Sequence, residues 1–179
     1  MPTYIALLRG INLGAKRRIA MADLRALLEE LGYDDVRTHL QSGNVIFTRA
    51  TRSAATVERA LESAISQRFG LDVRVVVRTP KQLAAVVEQD PFPDEALDHS
   101  RYMVIFLEQK PPAGWLESLD ADRFAPDRVA VVGTHVYLWM PNGLHESKLA
   151  TLVMDKKLGG AATARNFRTV LALAGKSAG

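Results

Sequence analysis

Val36-Arg37-Thr38-His39-Leu40-Gln41-Ser42-Gly43-Asn44-Val45-Ile46-Phe47-Thr48 reads as two strands and a tight turn. Val36, Thr38 and Leu40 alternate with Arg37, His39 and Gln41, the period of a strand with one buried face. Gln41-Ser42-Gly43-Asn44 is turn chemistry, and Val45 to Thr48 returns as the second strand. On the N-terminal side, Tyr4–Leu8 is a continuous apolar run, read as a strand buried on both faces. Met21, Leu24, Leu27, Leu28 and Leu31 recur at helical spacing, and Gly32 ends that helix. On the C-terminal side, Ser53 can cap a helix with Val57, Leu61, Ala64 and Ile65 on its apolar stripe. Val73, Val75 and Val77 then alternate as a further strand. The order is β-α-β-β-α-β, a ferredoxin-like unit over residues 1–78.

Residues 79–179 are expected to form a second α+β subdomain with C-terminal helices. Thr79-Pro80 opens a helix, and Asp90 to Ser100 is a candidate linker. Tyr102–Leu107 is a strand and Trp115, Leu116 and Leu119 suggest a short helix. Val129–Val132 and His135–Met140 form a hairpin around Gly133-Thr134. Ser147 can cap a helix that Gly159-Gly160 ends, and Thr163 can cap the last helix. The β-α-β-β-α part echoes the first half, with a helix where a fourth strand would be.

Composition narrows the function. The chain has 179 residues, 47% apolar and 24% charged, ordinary for a globular protein of one or two units. It has no cysteine, which removes disulfides and thiolate metal sites. No apolar run is long enough to span a bilayer, and the N-terminus lacks a signal-peptide layout, so a cytoplasmic protein with no membrane partner is expected. Net charge is +3 but uneven: 12 basic against 8 acidic residues in 1–78, 5 against 10 in 79–141, and 6 against 2 in 142–179. Such asymmetry suits an anion-binding surface or, more plainly, solvated helix faces.

Gly10 to Arg17 follows a strand and precedes a helix, but its glycines are too close and Ala15-Lys16-Arg17 departs from a P-loop. The four histidines, His39, His99, His135 and His145, have no metal spacing, so no metal or cofactor is expected. The third strand lacks the aromatic motif of an RNA-recognition sheet, which disfavours nucleic acid. In a ferredoxin-like sheet the exits of the first two strands share one end. Arg9, Asn12 and Lys16 would there meet Gln41, Ser42 and Asn44, a polar, cation-rich set suited to a phosphate or carboxylate. The plainer alternative is hairpin chemistry with Arg9 paired to an acid. Gly159 to Asn166 leads small residues into an expected helix start, placing Arg165 and Asn166 in the first turn. With Lys148 they would extend a ligand site between the subdomains. No catalytic residue is nominated. Tyr137 and Trp139 share one strand face and suggest the rival, an interaction module for protein or nucleic acid.

Leu7-Leu8-Arg9-Gly10-Ile11-Asn12, Gln41-Ser42-Gly43-Asn44-Val45, Asp90-Pro91-Phe92, Ser147-Lys148-Leu149 and Thr163-Ala164-Arg165-Asn166-Phe167 together resemble the bacterial domain of unknown function 1697. His39 stands where Tyr is usual there and Phe167 where Trp is usual. The resemblance implies two ferredoxin-like subdomains packed together, of βαββαβ and βαββα type. It implies no activity and no catalytic residues.

Overall fold

The computed structural model describes residues 1–50, 53–93, 98–155, 158, 160 and 162–177. The chain divides into two compact units, residues 1–84 with 173–179 and residues 85–172.

In the first unit, β1 (Thr3–Leu8) is followed by α1 (Met21–Glu30), β2 (Asp34–His39), β3 (Asn44–Thr48), α2 (Ala54–Phe69) and β4 (Val75–Arg78). The sheet order is β2-β3-β1-β4 with every neighbouring pair antiparallel, so β1 and β2 run parallel with β3 between them. Met21, Leu24, Leu27 and Leu28 of α1 and Val57, Leu61 and Ile65 of α2 are buried. They share one core with Tyr4, Ala6 and Leu8 of β1 and with Val45 and Phe47 of β3. Ser53 caps α2 through a bond from the Thr56 N–H, and Gly70 ends it in the left-handed conformation. The last strand starts at Val75, later than the alternation from Val73 suggests, although Val73 is buried in the same core.

α3 (Pro80–Glu88) precedes β5 (Tyr102–Leu107), two 3-10 turns (Glu117–Leu119 and Ala121–Phe124), β6 (Arg128–Val132), β7 (His135–Trp139), α4 (Lys148–Asp155), β8 (Ala162–Asn166) and α5 (Phe167–Ser177). The second sheet, β6-β7-β5-β8, repeats the order of the first. The short helix expected around Trp115–Leu119 is the first of these 3-10 turns, and Trp115 just before it and Leu119 within it are buried in the second core.

One expectation is corrected. Thr163 does not cap the last helix; Ala162–Asn166 is the fourth strand, paired antiparallel with β5 from Leu107↔Ala162 to Met103↔Asn166. The physical reason is the buried edge of β5, whose backbone groups require partners. Small residues serve on the core side, where Ala162 and Ala164 stand beside Leu107 and Ile105, while Thr163 and Arg165 are buried on the opposite face of the strand. The cap of α5 is Asn166, whose Oδ1 accepts bonds from the N–H and hydroxyl of Thr169, each at 2.9 Å. Of the glycine-led loop and the linker, Gly159, Ala161 and residues 94–97 lie outside the described residues.

Candidate functional site

The exit of β1 and the first hairpin meet at one end of the first sheet. The Leu8 N–H donates to the Gly43 carbonyl at 2.9 Å, and Asn44 pairs with Leu7. Asn12 ties the two loops together. Its Oδ1 accepts from the Ile19 N–H at 3.0 Å, and its Nδ2 donates to Ile19 O at 2.9 Å and Gln41 O at 2.7 Å. Asn12 adopts φ +57°, a left-handed conformation that asparagine tolerates better than most residues. Ile11 is buried against Gly43, where an added Cβ would fall 2.7 Å from Ile11 Cδ1 and 2.8 Å from Leu8 Cβ.

Arg17, a residue not nominated from sequence, is the second clamp. Its Nε donates to Gly10 O at 3.1 Å and its Nη2 to Asp72 O at 2.7 Å, drawing the loop onto the segment before β4. Arg18 Nε donates to Gly14 O at 3.3 Å. Asn44 is fully buried at 0% exposure, and its Nδ2 donates to His39 O at 2.8 Å and Ser42 Oγ at 3.0 Å. Asn12, Ser42 and Asn44 thus hold the loops in shape. Arg9, Lys16 and Gln41 are exposed beside them. Among the described residues the Arg9 and Lys16 side chains make no hydrogen bond or ion pair, whereas Arg74 is paired with Glu62 at 3.4 Å.

The other three nominated residues lie in the second unit. Arg165 is 7% exposed and sits inside β8, not in a helix turn. Its Nη1 donates to Thr163 Oγ1 and Ala164 O, each at 2.8 Å. Burial pushes its pKa down to about 10, which leaves it charged at neutral pH. Asn166 is occupied as the cap of α5. Lys148 is exposed at the first position of α4, just after Ser147, whose Oγ accepts from the Ala150 N–H at 2.8 Å.

Tyr137 and Trp139 lie on the face of β7 opposite Val136 and Leu138, which pack in the second core. Tyr137 is buried and donates to the Val86 carbonyl at 2.8 Å, and burial raises its pKa. Tyr102 stacks on Phe167 at 4.7 Å and meets Trp139 edge-on at 6.3 Å. Its hydroxyl donates to Asp90, and burial first, then that bond, raises its pKa.

At the other end of β2 a depression of about 790 Å³ is lined by Thr3, Glu29, Tyr33, Asp34, Asp35 and Arg37 among others, and by none of the nominated residues. It lies beside the register shift between Asp34 and Arg37. Tyr33 stacks on Phe47 at 4.8 Å under the Arg49 guanidinium, and its buried hydroxyl has no hydrogen-bond partner among the described residues. Among the described residues there is no cluster of three or more His, Asp or Glu able to hold a metal, and no helix long and apolar enough to cross a membrane.

Two four-stranded antiparallel sheets of identical strand order, each with helices, define an α+β protein of two ferredoxin-like units. The family model "Protein of unknown function (DUF1697)" matches residues 1–137, and the chain belongs to that family. A solved structure, that of the conserved bacterial protein SP0830 from Streptococcus pneumoniae, is similar with a TM-score of 0.73, 20% identity and 97% of each chain covered. At that identity the likeness concerns the fold alone. No curated protein matches the sequence.

Proposed function

We propose that the chain binds a small phosphate- or carboxylate-bearing ligand at the paired loops Arg9–Ala20 and Leu40–Gly43 of the first unit. The observation that carries it is the contrast between bound and unbound cations. Arg17 and Arg18 donate to loop carbonyls, while Arg9 and Lys16 have no ion pair or side-chain hydrogen bond among the described residues. Loops already held by Asn12 and Asn44 lose little freedom when a ligand arrives, which favours binding. Arg9 and Lys16 would neutralise the ligand's charge and Gln41 would orient it. Asn12, Ser42 and Asn44 would support these contacts from behind.

A second reading, an interaction module, is favoured by two exposed leucines on the same loops, Leu13 at 83% and Leu40 at 56%. The aromatic pair does not support it, because Tyr137 is buried. A thermal-shift screen of nucleotides and inorganic phosphate on the parent and on Arg9→Ala separates the two. Ligand at 100 times its Kd stabilises the fold by about 2.7 kcal/mol. That gain should shrink in Arg9→Ala; a gain that survives the substitution unchanged removes Arg9 from the site.

A further inference from the structure

Lys176 lies in the last turn of α5, within the first unit. Its Nζ is 2.8 Å from Nδ1 of His39, a residue 137 positions earlier that closes β2. His39 is the cross-strand partner of Asn44, and Asn44 is the partner of Leu7. Two strand spacings of about 4.8 Å put the backbones of His39 and Leu7 roughly 10 Å apart. Residues in one cross-strand row project to the same face, here the face opposite the Tyr4, Ala6 and Leu8 core. Arg9 comes two positions after Leu7, and its N–H continues the ladder to Arg74 O at 2.9 Å, so it belongs to that same face. Arg9 and the Lys176–His39 pair therefore stand at the same end of one sheet face, on either side of the buried Leu7 and Asn44.

The chemistry of the pair matters as much as its place. Burial first, then the Lys176 charge, lowers the His39 pKa, so at neutral pH the imidazole is uncharged and its Nδ1 accepts from the ammonium. A carboxylate in that place would hold Lys176 and also cancel its charge. A neutral imidazole holds it and leaves the charge available.

We infer that Lys176, positioned by His39, is a second cationic pole of the anion site and makes it selective for a dianionic phosphate group over a monocarboxylate. The inference rests on the binding function proposed above and adds the ligand class. Calorimetric titrations at pH 8 with inorganic phosphate and with acetate test it on the full chain. The parent should bind phosphate more tightly than acetate. Lys176→Met should weaken phosphate at least fivefold and leave acetate unchanged, Lys176→Arg should retain most of the phosphate affinity, and Arg9→Ala should weaken both anions. His39→Gln, which keeps an acceptor, should stay within about twofold of the parent, whereas His39→Phe should match Lys176→Met. Phosphate binding unaffected by Lys176→Met but weakened by Arg9→Ala overturns the role of Lys176 and leaves the binding function standing. Equal loss of both anions in Lys176→Met overturns the dianion preference. Binding of neither anion by the parent overturns the binding function itself and this inference with it.

Discussion

Gly43→Ala isolates the contact that brings the two loops together. Gly43 sits at φ +75°, so any side chain there pays for a left-handed backbone, about 1–2 kcal/mol. The new methyl would also lie 2.8 Å from Leu8 Cβ and 2.7 Å from Ile11 Cδ1. Ile11 can rotate its terminal carbon, but Leu8 Cβ is fixed to a central strand, so the turn itself must lift. Overpacking of this kind costs about 1–3 kcal/mol. The sum is about 2–5 kcal/mol, or a fall in melting temperature of roughly 4–20 °C for a chain of this size. Gly10→Ala is the control. Gly10 has a similar φ of +64° but nothing within 4 Å of an added Cβ, so it should lose about 1–2 kcal/mol from backbone strain alone. Urea unfolding of both variants measures the difference, which should be at least about 1 kcal/mol. Equal destabilisation of the two would refute the close approach of turn and strand exit on which the loop pair depends.

Tyr33→Phe removes a buried hydroxyl that has no partner among the described residues, so it should leave stability unchanged or raise it by up to about 1 kcal/mol in urea unfolding; a clear loss would mean that the hydroxyl is bonded in solution. Asn166→Ala should cost about 1 kcal/mol by removing the cap of α5, and added phosphate should not offset that cost selectively. His39 has its pKa lowered by the fold from 6.5, so the unfolded chain binds the proton more readily. Its contribution to stability is present above pH 6.5 and is lost as pH falls through 6.5 and on through the lower folded value. His39→Gln should flatten that part of the stability–pH curve in thermal unfolding, and an unchanged slope would contradict the shift.

The first sheet was legible because its residues speak locally. Tyr4–Leu8 is apolar throughout, the helix stripes keep their period, and Ser42-Gly43 marks the hairpin. Topology then carried the meeting of the β1 exit with the first hairpin, which the Leu8–Gly43 and Asn12–Gln41 bonds make. β8 was hidden because Ala162-Thr163-Ala164-Arg165-Asn166 has no apolar alternation. Its strand identity comes from the edge of β5, a tertiary demand that local sequence does not encode. The division of labour within the loops was equally hidden. Asn12 and Lys16 look alike as polar loop residues, and only the three bonds of the Asn12 amide reveal it as a clamp. Arg17 reads as one of three consecutive cations, yet its guanidinium is committed to Gly10 and Asp72. The meeting of Lys176 with His39 depends on where the last helix ends, which no motif at either residue announces.

The most direct test is an amide-resolved NMR titration of the full chain with inorganic phosphate. Saturable shifts confined to residues 9–17 and 41–44 and to the neighbourhood of Lys176 are the predicted result. Shifts spread without saturation over the surface, or centred on the depression beside Tyr33, would contradict an anion site at the paired loops.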